Sequence, residues 1–320
     1  MFGRYKLFSN NKLRFRLRNV LVSHHVARAS HITPLPAYGQ HSQGFRRSSV
    51  VGRACHAVHT DLGFCELDAG GRVDVHVQSF EELFYVTEGS PVLILDGRGY
   101  PLCPGACGVI PIGTPHAWLG ADKGTAKWID MLTPIPRDGD GPSDVFFLGQ
   151  PEGVRIEPLD IRDPRTLHFF RMTDDDITLE KLKVGARVDA PTVSASMATA
   201  LLAYSGIAVK MLVDQRMSAA LATMFMVEYQ PGGVAHEHDH PLEESYTILE
   251  GQVEAVADGV TYVLKEGDVL WTGVGCVHAF RNPSMSKVRW LETQSPQPPA
   301  RHSYRFNRDW EYLENKIRQK

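Results

Sequence analysis

One spacing is written twice along this chain, and it limits the available folds more than any other feature. Gly70-x5-His76-x-Gln78-x3-Glu82-x6-Gly89 returns as Gly232-x5-His238-x-His240-x3-Glu244-x6-Gly251. Each copy has a second glycine-framed stretch downstream, Gly105-x5-Pro111-x-Gly113-x2-His116 after the first and Gly267-x7-Gly275-x2-His278-x3-Asn282 after the second. An internal repeat of this kind means one structural unit made twice. A chain of 320 residues is long enough for two such units, each with its own core.

The local pattern within the units is β. Phe84-Tyr-Val, Pro91-Val-Leu-Ile-Leu and Ala106 to Ile110 read as strands, with Asp96-Gly97 as a hairpin turn after the second of them. In the second unit, Ile207 to Val213 and Thr223 to Tyr229 read as strands leading to a Gln-Pro-Gly-Gly turn before His236. Side chains alternate along a strand, so His236, His238 and His240 are expected on one face, where at least two imidazoles can converge on one ion. Glu244 adds a hard oxygen and His278 a further nitrogen. Such a set suits Fe(II), Mn(II), Co, Ni or Zn without choosing among them.

The two motifs resemble those of the cupins, small jelly-roll β-barrels. The resemblance implies an all-β chain of two cupin barrels in tandem, a bicupin. It implies metal ligands His238, His240, Glu244 and His278 in the second barrel, and a weaker second site at His76, Gln78, Glu82 and His116 in the first. Gln78 stands where the second imidazole belongs, and an amide oxygen binds a divalent ion more weakly. Two further positions depart from the family pattern: Gly273 where proline is usual, and Gly120 in place of the final Asn. The motif spacing selects Glu82 and Glu244 over their neighbours Glu81 and Glu243, which are then expected at the rim or in solvent. His236 is expected to orient a ligand or contact substrate if it contributes at all.

The expected organisation is a basic leader or arm over 1–30, a first barrel over 31–150, and a short helical or mixed linker over 151–205. A second barrel over 206–296 carries the main metal site, and an aromatic tail covers 297–320. Ten Lys or Arg precede the first acidic residue, Asp61, as in mitochondrial or plastid targeting segments, although Leu13, Phe15 and Leu17 alternate at period two. The chain is therefore expected in the cytoplasm, or in the mitochondrial matrix if that segment is a transit peptide. Asp174-Asp-Asp permits a short helix start. The tail, with Tyr304, Phe306, Trp310 and Tyr312, reads as a lid or brace over a barrel, or alternatively as a contact within a homo-oligomer.

A net charge of −3 argues against nucleic acid as a partner, and no apolar run reaches the roughly 20 residues of a membrane helix. Five cysteines without a repeated spacing read as free thiols. Cys276 lines the metal pocket or is simply a buried thiol in a tight turn.

Three imidazoles and a carboxylate leave coordination positions open, which favours catalysis on a small chelating molecule over a closed structural site. The leading expectation is a non-haem Fe(II) dioxygenase, resembling the gentisate and flavonol oxygenases, with one divalent ion and no nucleotide cofactor. The alternatives are a Mn(II)-dependent redox-neutral hydrolase, decarboxylase or isomerase, and a non-catalytic metabolite-binding barrel. Ureidoglycine aminohydrolases belong to the redox-neutral class, but their ligand set agrees here at only one of four positions.

Overall fold

The computed structural model describes residues 23–137, 144–160, 163–177, 205–297, 305–306 and 318. Among them, strands form two barrels joined by a segment of short strands and single 3-10 turns. No helix among the described residues is long and apolar enough to cross a membrane. The three strands expected in the first barrel lie within Glu81–Glu88, Val92–Leu95 and Ala106–Ile110. Asp96 and Gly97 both take positive φ, 50° and 71°, which closes the two-residue hairpin between Val92–Leu95 and Arg98–Pro101.

Both barrels bury the strand that follows their histidine motif on two faces. In Glu81–Glu88, Phe84 and Val86 point into the first barrel, while Leu83 points out of it into a second apolar core. Leu62, Leu83, Ile129 and Met131 pack there against Leu212, Met224, Met226, Trp271 and Leu291 of the other barrel. The barrels are therefore fused through an apolar interface. Burial of this kind contributes roughly 25 cal/mol per Å² of apolar surface removed from water. Met226 and Trp271 belong to that interface. Phe225 and Tyr246 face the interior of the second barrel.

Glu81 and Glu243 are not rim residues. Each is 2% exposed, because period-two alternation that turns Glu82 and Glu244 inward turns their neighbours toward the other barrel. Glu243 accepts from the backbone amides of Val58 (2.7 Å), His59 (3.0 Å) and Thr60 (3.1 Å). Glu81 accepts from Ala220 (2.6 Å) and Leu221 (2.9 Å). Thr133 pairs with Glu81 and Ser295 with Glu243 across their strands, and the two hydroxyls share a buried hydrogen bond of 2.8 Å. The junction is therefore close to symmetric.

The barrels also exchange strands. His24–Ala27, assigned above to a leader or arm over 1–30, instead pairs antiparallel with Val269–Thr272 of the second barrel. In the segment read as a linker over 151–205, Phe169–Arg171 pairs with Ala106–Ile110 of the first barrel and Arg155–Ile156 runs beside Arg98–Gly99. Each barrel thus receives a strand from the segment preceding the other. Gly273 follows from this exchange: its amide donates to the Ser23 carbonyl at 2.8 Å, a bond that proline could not make. At Gly120 a side chain has no room, since a Cβ would stand 2.1 Å from the Asp68 carbonyl oxygen. Asp174–Asp176 forms a single 3-10 turn. Residues 178–204, where any continuation of that helix would lie, residues 1–22 and most of the aromatic tail lie outside the described residues. The Arg305–Phe306 backbone pairs beside His238 and Asp239.

Candidate metal centre

The second barrel brings His238, His240, Glu244 and His278 together. His238 and His278 stand directly opposite each other on paired strands, and Glu244 enters from the strand Glu243–Glu250. All four are buried. Ligand nitrogens of the three imidazoles lie within 4.8 Å of one another.

The tautomers are fixed by the backbone. Nδ1 of His238 donates to the His236 carbonyl (2.7 Å), that of His278 to Cys276 (3.0 Å) and that of His240 to Leu242 (3.1 Å). A carbonyl can only accept, so each Nδ1 carries a proton and Nε2 is the nitrogen turned to the site. Imidazoles oriented in this way are what a divalent ion requires. Glu244 Oε2 lies 2.6 Å from His240 Nε2 and 3.6 Å from His278 Nε2. Without an ion that carboxylate and imidazole share a proton, and a divalent cation competes for the same atoms. The donor set fits one divalent transition ion.

His236 does not join the set. A β-bulge between Ala235 and His238 breaks the alternation, leaving the His236 ring exposed while its carbonyl holds His238.

The wall behind Glu244 is polar and buried. Gln294, opposite Glu244 on the neighbouring strand, donates to its Oε1. The Tyr246 hydroxyl lies within reach of both Glu244 Oε2 and His278 Nε2, the latter at 2.8 Å, but its single proton serves one acceptor at a time. Glu292 stands opposite Tyr246 and accepts from the Trp290 indole at 3.0 Å. Neither motif includes Tyr246, Gln294 or Glu292 among its fixed positions. Tyr246 could have been found two residues beyond Glu244 on the same face, whereas no motif marks the other two.

Burial and charge set the protonation states. Burial, then His278, lowers His238 to about 3. Burial opposes the charged form of His240, yet Glu244 outweighs it and raises that imidazole. Burial likewise opposes the Glu244 carboxylate, and His240 overcomes it, holding Glu244 below the usual carboxylate range. Burial and the Glu244 charge push both Glu292 and Tyr246 well up, toward their protonated forms.

The first barrel repeats the frame with fewer donors. His76 and His116 face each other on paired strands with ring centroids 4.0 Å apart, and their Nδ1 atoms donate to Asp74 (2.8 Å) and Thr114 (2.9 Å). Gln78 spends its amide on Glu82 at 3.2 Å, and Glu82 lies 3.6 Å from His116 Nε2. Gln78 Oε1 and His116 Nε2 are buried without a hydrogen bond, as acceptors awaiting a cation would be. Phe84 stands at the position of Tyr246 and Leu132 at that of Gln294, so Glu82 has lost both supporting donors as well as an imidazole neighbour. No group of three His, Cys, Asp or Glu ligand atoms within 4.8 Å forms there among the described residues.

The family described as Cupin domain matches residues 63–132 and 225–293, one copy per barrel. No curated protein matches the chain in sequence. Among solved structures, the chain is similar to a putative glyoxylate-induced protein from Pseudomonas aeruginosa, with TM-score 0.59, 17% identity, and 85% of this chain and 89% of that one covered. It is similar to the oxalate decarboxylase of Lactobacillus farciminis solved with formate, with TM-score 0.58, 15% identity and 89% of each chain covered. It is also similar to the oxalate decarboxylase of Bacillus subtilis, with TM-score 0.59, 14% identity, and 89% and 80% covered, an enzyme described as having Mn(II) centres.

Proposed function

The chain is a bicupin of the cupin superfamily, two cupin barrels in one polypeptide, and from that premise we propose that it is a Mn(II)-dependent decarboxylase of a small chelating carboxylate, oxalate among the candidates. The observation that carries this reading is the buried convergence of His238, His240 and His278 beside Glu244 in a barrel whose structural relatives include oxalate decarboxylases. The redox-neutral alternative is thus better supported than the Fe(II) dioxygenase expected from the ligand types alone.

His238, His240, Glu244 and His278 would hold the ion, which supplies a charge that binds a carboxylate and withdraws electrons from it. The chain's own residues do the rest. The apolar interior around Phe225, Ile248 and Phe280 limits water, and Gln294 fixes the Glu244 carboxylate in place. Losing carbon dioxide leaves an electron pair on carbon that must take up a proton. Tyr246 and Glu292 are buried groups in this wall whose surroundings favour the protonated form.

The test is metal analysis of the purified protein, followed by incubation of the Mn(II)-loaded form with oxalate and other small carboxylates while carbon dioxide and oxygen are followed together. Carbon dioxide release without matching oxygen consumption is expected. Stoichiometric oxygen uptake would overturn the reading in favour of the dioxygenase, and binding without turnover would favour a metabolite-binding barrel.

A further inference from the structure

We propose that His24, Asp258 and Cys276 form a separate zinc-type site, outside the barrel interior, where the exchanged N-terminal strand meets the loop that presents His278. An imidazole nitrogen of His24, a carboxylate oxygen of Asp258 and Sγ of Cys276 lie within 4.8 Å of one another. They come from three distant stretches of chain: the strand His24–Ala27, the hairpin turn after Gln252–Ala257, and the loop before His278–Arg281. Nothing local in sequence forces such a convergence, and none of the three belongs to the repeated motif.

The surrounding hydrogen bonds hold the donors in place. Asp258 Oδ1 accepts from the Val277 amide at 3.0 Å, and the Asp258 amide donates to the Val277 carbonyl at 2.8 Å. Ser23 donates to the other Asp258 oxygen, and the Tyr262 hydroxyl lies 2.9 Å from His24 Nε2. Cys276 is buried, His24 half-buried and Asp258 exposed, so an ion can enter from solvent and meet sulfur on the inner side.

The donor chemistry differs from that of the barrel centre. One thiolate, one imidazole and one carboxylate suit Zn(II), with a fourth tetrahedral position left for water, whereas the sulfur-free set of the barrel suits harder ions. The entering ion displaces the Cys276 thiol proton to solvent as the metal–sulfur bond forms. The Cys276 carbonyl is the acceptor for His278 Nδ1, so an ion here would brace the backbone that orients a candidate ligand of the barrel centre. It would also staple the exchanged strand to its host.

The test is a Co(II) titration of the full-length metal-free protein, read by the near-ultraviolet sulfur-to-cobalt charge-transfer band, to which a sulfur-free barrel centre cannot contribute. The wild type is expected to show the band, Cys276→Ser to lose it, and His24→Ala to weaken the affinity read from it by tenfold or more. A His238→Ala, His240→Ala variant should keep it. A wild type without the band at saturating Co(II), or a band that survives Cys276→Ser, overturns the proposal. So does a band titrating identically in wild type and His24→Ala, a variant that keeps the test decisive should Cys276→Ser fail to fold.

Discussion

Glu243 and Glu244 are adjacent on one strand and serve different barrels, the first accepting three backbone amides of the N-terminal barrel and the second lying 2.6 Å from His240 in its own. The strand therefore ties the candidate metal centre rigidly to the interface.

Removing the outward carboxylate should show this. Glu243→Ala leaves three amides without their acceptor, and charge-assisted bonds of this kind contribute about 3 kcal/mol together when buried. Denaturant unfolding of the variant should lose about that much stability, and Glu81→Ala, with two such bonds, somewhat less. A change below about 0.5 kcal/mol, the size of an ordinary surface substitution, would show that the cross-barrel caps contribute nothing.

At the centre itself, His240→Ala should abolish tight Mn(II) binding, because it removes the imidazole closest to the carboxylate. Tyr246→Phe should bind the ion with similar affinity yet lose roughly 100-fold in turnover, the low end of what a positioned proton donor supplies. Calorimetric titration beside steady-state rates separates the two effects. Parallel loss of binding in Tyr246→Phe would make the tyrosine a support for the ligands instead.

In the first barrel, Gln78→His should tighten metal binding without matching the second barrel, because Phe84 and Leu132 still deny Glu82 the donors that Glu244 has. Binding isotherms in a His238→Ala, His240→Ala background isolate this site. Wild-type affinity equal to that of the second barrel would mean that the missing donors do not matter.

Acid should destabilise the metal-free protein. Burial holds His238 and His76 at about 3, so both stay neutral in the fold where an unfolded histidine, near 6.5, is charged. The unfolded chain binds more protons between those values, and stability falls as pH drops through that window, by about 1.4 kcal/mol per pH unit for each group. Glu244, held low, adds to the loss as pH falls through the carboxylate range. His240, held high, acts oppositely: its contribution is complete below 6.5 and fades as pH rises through its folded value. Glu292, held high, also opposes the loss until pH falls below the ordinary carboxylate value of 4.5, where its unfolded counterpart is protonated as well. Below that value the two depressed imidazoles and Glu244 act unopposed, so the urea midpoint of chelator-treated protein should be lower at pH 3.5 than at pH 4.5, and an equal or higher midpoint at pH 3.5 contradicts the balance.

The repeat made both barrels and the four clustered side chains of the candidate metal centre legible, since glycine turns and motif spacings are local facts. What escaped was set by packing across the chain. Strand alternation correctly separates Glu243 from Glu244, but which surface covers the outward face depends on the second barrel docking there, so a buried cap read as a solvated carboxylate. His236 was misplaced because a one-residue bulge leaves no mark in a histidine-rich strand. Gln294 and Glu292 belong to a strand without a motif, and only its register against Glu243–Glu250 brings them to the centre.

The exchanged strands also set a schedule for biogenesis. During translation His24–Ala27 emerges well before Val269–Thr272, the segment it pairs with, so the second barrel cannot complete its sheet until more than 240 further residues have followed that strand out of the ribosome. Contacts so far apart in sequence slow folding and leave a strand edge exposed meanwhile. A nascent chain arrested before Val269 would hold a finished first barrel and an orphaned strand, the form in which this protein most needs a chaperone.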